Sequence, residues 1–175
     1  MYEIRLHSRG GQGGVTAAKI LASAAFMDGK YATACPFYGA ERRGAAVVSF
    51  IRLDDHQIRV YSQIRRPDLV IVLDKTVMET VDVLHGIKPD GKVLVNSSEP
   101  VDMKGHKTCY INLTEIALSL DLVIAGSPIL NTPLLGALAK MGLASRESVI
   151  TAISETFKDE RNVKAALMAY EELEV

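Results

Sequence analysis

Leu69, Val70, Ile71, Val72 and Leu73 form an unbroken apolar run, and this run limits the fold more than any other segment. A strand at a sheet surface alternates between core and solvent, whereas five successive apolar side chains need cover on both faces, the condition met inside a parallel sheet. Parallel neighbours are joined by crossovers, so strands are expected to alternate with helices. The flanking sequence agrees. Tyr2, Ile4 and Leu6 alternate with Glu3, Arg5 and His7 as a first strand, and Val15 to Met27, rich in Ala, Ile and Leu, reads as a helix ending at Asp28-Gly29, where Gly29 suits a C-terminal cap. Tyr31 to Pro36 reads as a second strand, stopped by its proline.

Further along, Ala46 to Leu53 and Gln57 to Tyr61, separated by Asp54-Asp55-His56, predict an antiparallel hairpin. Asp74 opens an expected helix that runs to about His85. Lys92 to Asn96 and Thr108 to Leu113 are strand candidates, the second feeding a short helix from Thr114 to about Leu120. Thr132 as cap and Pro133 in the first turn start a helix with Leu134, Leu135, Leu138 and Met141 on one stripe. Ser145 and Asp159 cap two more, the last running to about Leu173. The expectation is one α/β domain spanning residues 1–175, with a mixed, mostly parallel sheet flanked by helices, a Rossmann-like start and an inserted hairpin.

A chain of 175 residues, 48% hydrophobic and 23% charged, has enough bulk for one such core. No apolar run approaches the roughly 20 residues that span a bilayer, and Met1 to Arg5 lacks the apolar stretch of a signal peptide. These features predict a cytoplasmic protein with no membrane partner. Cys35 and Cys109 stand far apart and cannot supply the four thiolates of a usual iron–sulfur cluster. His7, His56, His85 and His106 show no metal-ligand spacing, so no metal site is expected in this chain. The net charge of −1 argues against a nucleic-acid partner, yet residues 1–66 hold ten Lys/Arg against five Asp/Glu, while residues 67–175 hold ten against sixteen. The basic half suits an anionic ligand or an arginine-rich interface.

Within that half lies Ser8-Arg9-Gly10-Gly11-Gln12-Gly13-Gly14, between the first strand and the first helix. Glycines there allow a ligand close to the backbone, and the free N–H groups of the helix start attract an anion. The dinucleotide fingerprint Gly-x-Gly-x-x-Gly is matched at Gly10 and Gly13, but its first place holds Ser8. The acid that would hold a ribose is also missing from the end of the second strand, Cys35-Pro36-Phe37-Tyr38; the nearest, Glu41, falls past it. Three readings stay open: glycines that only pack helix on strand, a cradle for phosphate or carboxylate, and a seat for a partner's backbone. A second loop, Phe37 to Ala45, has Gly39 and Gly44 bracketing Glu41-Arg42-Arg43, where adjacent arginines suit bidentate anion recognition or simply a solvated surface. Asp74 and Asn131 read as a helix cap and a turn residue, or as groups at the ligand-binding edge. No Ser-His-Asp order and no paired carboxylates stand out.

Taken in order, Arg9-Gly10-Gly11-Gln12-Gly13, Thr16-Ala17-Ala18, Tyr38-Gly39-Ala40-Glu41-Arg42-Arg43-Gly44-Ala45, Pro67 to Asp74, and Asn131-Thr132-Pro133-Leu134-Leu135-Gly136-Ala137-Leu138 resemble the gamma subunit of 2-oxoacid:ferredoxin oxidoreductases. The resemblance covers nearly the whole chain, with Ser8 where the family often has Gly and Ala40 where Pro is common. It implies a complex that decarboxylates a 2-oxoacid such as pyruvate on thiamine diphosphate, passes electrons through [4Fe-4S] clusters to ferredoxin, and makes acyl-coenzyme A. It implies that thiamine diphosphate, its Mg and the clusters lie on alpha, beta and delta-type partner subunits, with coenzyme A as co-substrate and no cofactor held tightly by this chain alone. The family motif carries over to Gly10, Gly11, Gln12, Gly13 and Thr16 in the first loop and to Glu41, Arg42 and Arg43 in the second, as contacts to a cofactor or to a partner chain. No catalytic residue follows from it. The isolated chain is expected to be inactive, and a homodimer is one form open to it. The competing expectations are a stand-alone dinucleotide-binding reductase and a non-catalytic scaffold subunit.

Overall fold

The computed structural model describes residues 1–37 and 44–175. Among these, six strands form one sheet: β1 (Tyr2–Arg9), β2 (Tyr31–Phe37), β3 (Ala46–Asp54), β4 (Leu69–Val72), β5 (Lys92–Asn96) and β6 (Thr108–Ile111), in the spatial order β2-β3-β1-β4-β5-β6. The pairs β1–β4, β4–β5 and β5–β6 are parallel. The pairs β1–β3 and β2–β3 are antiparallel, so β3 alone runs against the others. The apolar run is indeed internal: every β4 residue is fully buried.

One face carries five helices among the described residues: α1 (Gly14–Met27), α2 (Leu113–Ser119), α3 (Asn131–Lys140), α4 (Arg146–Thr156) and α5 (Arg161–Glu172). Their buried side chains join Ile4, Leu6, Ile51, Leu69, Ile71 and Leu94 in a single core. At its centre α3 is buried from Asn131 to Ala139. Gly136 lies so close to α5 that a methyl group there would overlap the backbone carbonyl of Ala166. Ser145 caps α4, its hydroxyl accepting from the Ser148 N–H at 3.1 Å.

The opposite face is covered without an α-helix. Val70, Val72, Val93 and Val95 pack there against Val77, Val83, Leu84 and Met103. Two buried arginines fasten this cover. Arg52 donates to Ser62 O at 2.7 Å, to Val60 O at 3.4 Å and to the Glu3 carboxylate at 2.9 Å. Arg5 donates to Val83 O at 2.8 Å, to His85 O at 2.7 Å and to Ile64 O at 3.5 Å. Irregular chain leaves its carbonyls without ladder partners, and guanidinium groups, with five donors each, satisfy several at once.

Several local expectations change. Gln57 to Tyr61 is not a strand: it lies over the sheet, Ile58 turned inward and the Val60 carbonyl taken by Arg52. The hairpin is instead β2–β3, with Tyr31 paired to Asp54 and Phe37 to Val48. Pro36 does not stop β2, because an edge strand has ladder positions that need no N–H. Asp74 caps a 3-10 turn, Lys75–Glu79, rather than a helix to His85. The β-branched run Thr76, Val77, Thr80, Val81 and Val83 disfavours a longer helix. Thr132 is not a cap; α3 starts at Asn131, and the Thr132 hydroxyl crosses to Asn162 on α5 at 3.3 Å. Asp159 stands one residue before the α5 N-cap, Glu160, yet still accepts from the Arg161 N–H at 3.0 Å. A small hairpin, β7 (Val123–Ile124) with β8 (Ser127–Pro128), was not expected.

Two substitutions test this packing by urea unfolding of the purified chain. Gly136→Ala is expected to cost about 3 kcal/mol, because backbone cannot move aside as a side chain does. Arg52→Met is expected to cost about 3 kcal/mol, since it strands two carbonyls and the half-buried Glu3 carboxylate.

Candidate functional site

β1 ends at Arg9 between β3 and β4, and the chain leaving it turns to the helical face while the chain leaving β4 covers the other. A sheet splits into a crevice where connections diverge in this way. The glycine-rich loop fills the crevice. Gly10 extends the β1–β3 pairing, its N–H donating to Ala45 O at 2.9 Å and its carbonyl accepting from the Gly44 N–H at 3.3 Å. Gly11 is exposed at the tip. The Gln12 side chain turns back into the protein: its oxygen accepts from the Arg9 N–H at 2.8 Å and its amide nitrogen donates to Asp74 at 3.0 Å. Its carbonyl accepts from Leu130 N–H at 3.0 Å, which ties the loop to α3. Gln12 therefore shapes the loop rather than leading out of it.

Gly13 is the α1 N-cap with φ 85°, in the left-handed region that glycine takes at low cost, and a Cβ there would stand 3.0 Å from Asn131. Gly14 has a different reason. A Cβ on it would meet Ser8 Oγ at 2.5 Å, so the serine that departs from the dinucleotide pattern is housed by the glycine six residues later. The N–H groups of Gly14, Val15 and Thr16 open α1 and have no acceptor within the helix. They border a cavity of about 390 Å³ with apolar walls from Val47, Ile124, Ile129 and Phe157. Arg9 is the charged residue in its described lining.

Arg9 and Asp74 flank the loop. Arg9 donates to Thr76 Oγ1 at 2.8 Å and to Gly44 O at 2.9 Å, and lies 3.7 Å from Asp74. Burial works against the Asp74 charge, but the Thr76 hydroxyl at 2.6 Å, the Thr76 N–H, Gln12 and Arg9 outweigh it and hold the carboxyl below its ordinary value. Asp74 is thus both the cap of the 3-10 turn and the anchor of the loop. Asn131 packs on Gly13 and caps its neighbour's N–H at 2.8 Å. Glu41, Arg42 and Arg43 lie outside the described residues; their flanks, Phe37 and Gly44, are at the same edge as the loop. The roles of Arg9, Ile124 and Phe157 were not read from the sequence, because each depends on a segment distant in the chain.

The loop does not sit in a dinucleotide-binding unit of the usual kind, since β3 separates β1 from β2 and so moves the end of β2 away from the crevice. Among the described residues, no hydrogen bond joins a serine, threonine or cysteine side chain to a histidine ring, and no three His, Cys, Asp or Glu side chains gather as a metal site. Cys35 on β2 and Cys109 on β6 lie at opposite edges of the sheet. No described helix is long and apolar enough to cross a membrane. Fold and site together define an α/β domain in which a glycine-rich loop and the open first turn of α1 meet at one edge of a mostly parallel sheet.

The chain belongs to the pyruvate ferredoxin/flavodoxin oxidoreductase family, whose model matches residues 3–172, and within it to the gamma-subunit type of 2-oxoacid:ferredoxin oxidoreductases. It is 50% identical to the pyruvate/ketoisovalerate oxidoreductases common subunit gamma of Pyrococcus abyssi, over 100% of this chain and 98% of that protein. It is 51% identical to pyruvate synthase subunit PorC of Methanocaldococcus jannaschii, over 99% of this chain and 97% of that one. The crystal structure of the pyruvate oxidoreductase subunit PORC from Thermotoga maritima superposes with a TM-score of 0.83 at 34% identity, covering 99% and 97%.

Two outcomes test the loop. Gly14→Ala is expected to destabilise the chain by about 2 kcal/mol in urea unfolding, and Ser8→Gly added to it to restore most of that loss. Asp74, depressed in the folded state, stabilises above the ordinary carboxylate range and loses that contribution as pH falls through its folded value. Asp74→Asn is therefore expected to flatten the acid limb of the stability–pH curve below about pH 4.

Proposed function

We propose that this chain serves a multisubunit enzyme that oxidatively decarboxylates pyruvate or a branched 2-oxoacid, and that its glycine-loop edge receives the anionic part of coenzyme A beside a partner subunit. Half identity over nearly the full length of a pyruvate/ketoisovalerate oxidoreductases common subunit gamma and of a pyruvate synthase subunit PorC carries the reading. The cavity fits an anion: the first-turn N–H groups of α1 border it and Arg9 is part of its lining, its guanidinium close by on Thr76 and Gly44, and neither needs to change protonation. Apolar walls suit the uncharged part of such a ligand.

An iron–sulfur cluster does not fit this chain, whose two cysteines stand at opposite sheet edges. In the proposed assembly, thiamine diphosphate with Mg and [4Fe-4S] clusters belong to alpha, beta and delta-type partners, and ferredoxin takes the electrons. Bound on a partner, thiamine diphosphate supplies the carbanion chemistry of decarboxylation. This chain binds and orients. Gln12, held between Arg9 and Asp74, fixes the loop, and the backbone of Gly13 to Thr16 presents its donors. Gly10 and Gly11 keep the approach open, and the family pattern adds Glu41, Arg42 and Arg43 as further contacts to the ligand or to a partner.

The test is reconstitution with partner subunits from the native source, followed by pyruvate- and coenzyme A-dependent reduction of ferredoxin. The complex is expected to turn over and the isolated chain is not; turnover by the isolated chain would overturn the reading. Arg42→Ala with Arg43→Ala is expected to raise the coenzyme A KM of the complex about tenfold with kcat little changed. Unchanged KM with weakened assembly would assign that loop to a partner instead.

A further inference from the structure

The covered face opposite α1 contains a second cavity, of about 510 Å³, lined by Arg5, His7, Phe37, Phe50, Ile64 and Arg65 among others. Its floor holds two polar groups with unmet needs. His7 is 2% exposed, and its Nε2 accepts from Arg5 Nε at 3.2 Å. A guanidinium can only donate, so that bond makes Nε2 the lone-pair nitrogen and leaves the ring hydrogen on Nδ1. Nδ1 is buried and has no partner among the described residues. Burial, with the Arg5 charge added to it, keeps the ring neutral, its pKa lowered to about 4.

Arg5 itself is 7% exposed, and every bond it makes goes to His7 or to a backbone carbonyl. Among the described residues no carboxylate lies within ion-pair distance of it. A buried cation that lacks a counter-ion is costly, and so is a buried N–H that lacks an acceptor. A water molecule could meet the second need but not the first. Asp82, also in the lining, is exposed and lies 4.0 Å from Lys104; its charge favours the Arg5 guanidinium through space without forming an ion pair with it, and burial outweighs that help. Arg65, exposed at the mouth, adds a second positive charge. Gln63 and His85 are the other polar residues of the lining, and the remainder is apolar: the Phe37 and Phe50 rings stand 6.4 Å apart at 52°, and Phe37 is 51% exposed.

We propose that this cavity binds a small organic carboxylate, its acid group against the His7 Nδ1–H and the Arg5 guanidinium and its apolar body against Phe37 and Phe50. The size lies within the range of small-molecule pockets, and the pairing of a charged end with an apolar wall is what such an acid requires. The site is separate from the glycine-loop cavity, which lies on the helical face, and it stands whether or not that loop receives coenzyme A.

The experiment uses the full chain, labelled with ¹⁵N-histidine and ¹³C-phenylalanine, titrated with phenylacetate and with its neutral isostere phenylacetamide. Phenylacetate is expected to shift the His7 ring nitrogens and the Phe37 and Phe50 signals saturably, and to bind at least tenfold more tightly than the amide. Arg65→Gln, a surface change, is expected to weaken phenylacetate severalfold, and His7→Phe at least tenfold. Absence of saturable shifts at these residues means a water-filled cavity and overturns the proposal. Equal binding of acid and amide overturns it as well, as does unchanged affinity in Arg65→Gln should His7→Phe fail to fold.

Discussion

A strand buried on both faces obliges the chain to roof its sheet twice, and β4 sets that obligation here. On one side the roof is made of helices whose backbones satisfy themselves, so only apolar side chains need to meet the sheet. On the other side it is irregular chain, whose carbonyls would be orphaned against an apolar surface. Arg5 and Arg52 resolve that conflict from within the sheet itself. The arrangement places two cations where a β-sandwich or doubly wound sheet would carry aliphatic side chains, and the second roof depends on them.

The same topology assembles the candidate site. Because β3 enters between β2 and β1 in the opposite direction, the β2–β3 connection emerges at the carboxyl edge of β1, and Gly44 meets Gly10 there. Because β4 lies parallel on the other side of β1, Asp74 arrives at the same level and takes Gln12 and Arg9. Strand alternation then divides β1 between two cavities. Ser8 faces the helical side beneath the glycine loop, while Arg5 and His7 face the irregular roof.

Much of this was legible in the residues, and the boundary follows physical lines. Elements whose pattern answers to a local rule came through: the apolar run of β4, the Ala-rich α1 with Gly29 after it, the Ser145 cap and the β5 strand. Segments whose shape is decided by a distant partner did not. Gln57 to Tyr61 alternates like a strand, but Arg52 takes the carbonyl that a neighbouring strand would have used. Asp74 looks like a helix cap, and it is a cap, but for one 3-10 turn, after which Val83 and His85 are drawn to Arg5. In the site, the glycine spacing announced a loop, whereas the inward turn of the Gln12 side chain depended on Asp74, sixty-two residues away. The glutamate and arginines at 41–43 fall outside the described residues, and their part in the site rests on the family pattern.

The contact between Ser8 and Gly14 has a consequence for sequence variation. Two positions that share one small volume cannot vary independently: a side chain may occupy either, but not both. The two positions are therefore coupled: a side chain at 8 and a side chain at 14 compete for the same space. The glycine that looks like part of a ligand cradle is also the room that the serine on the strand beneath it occupies.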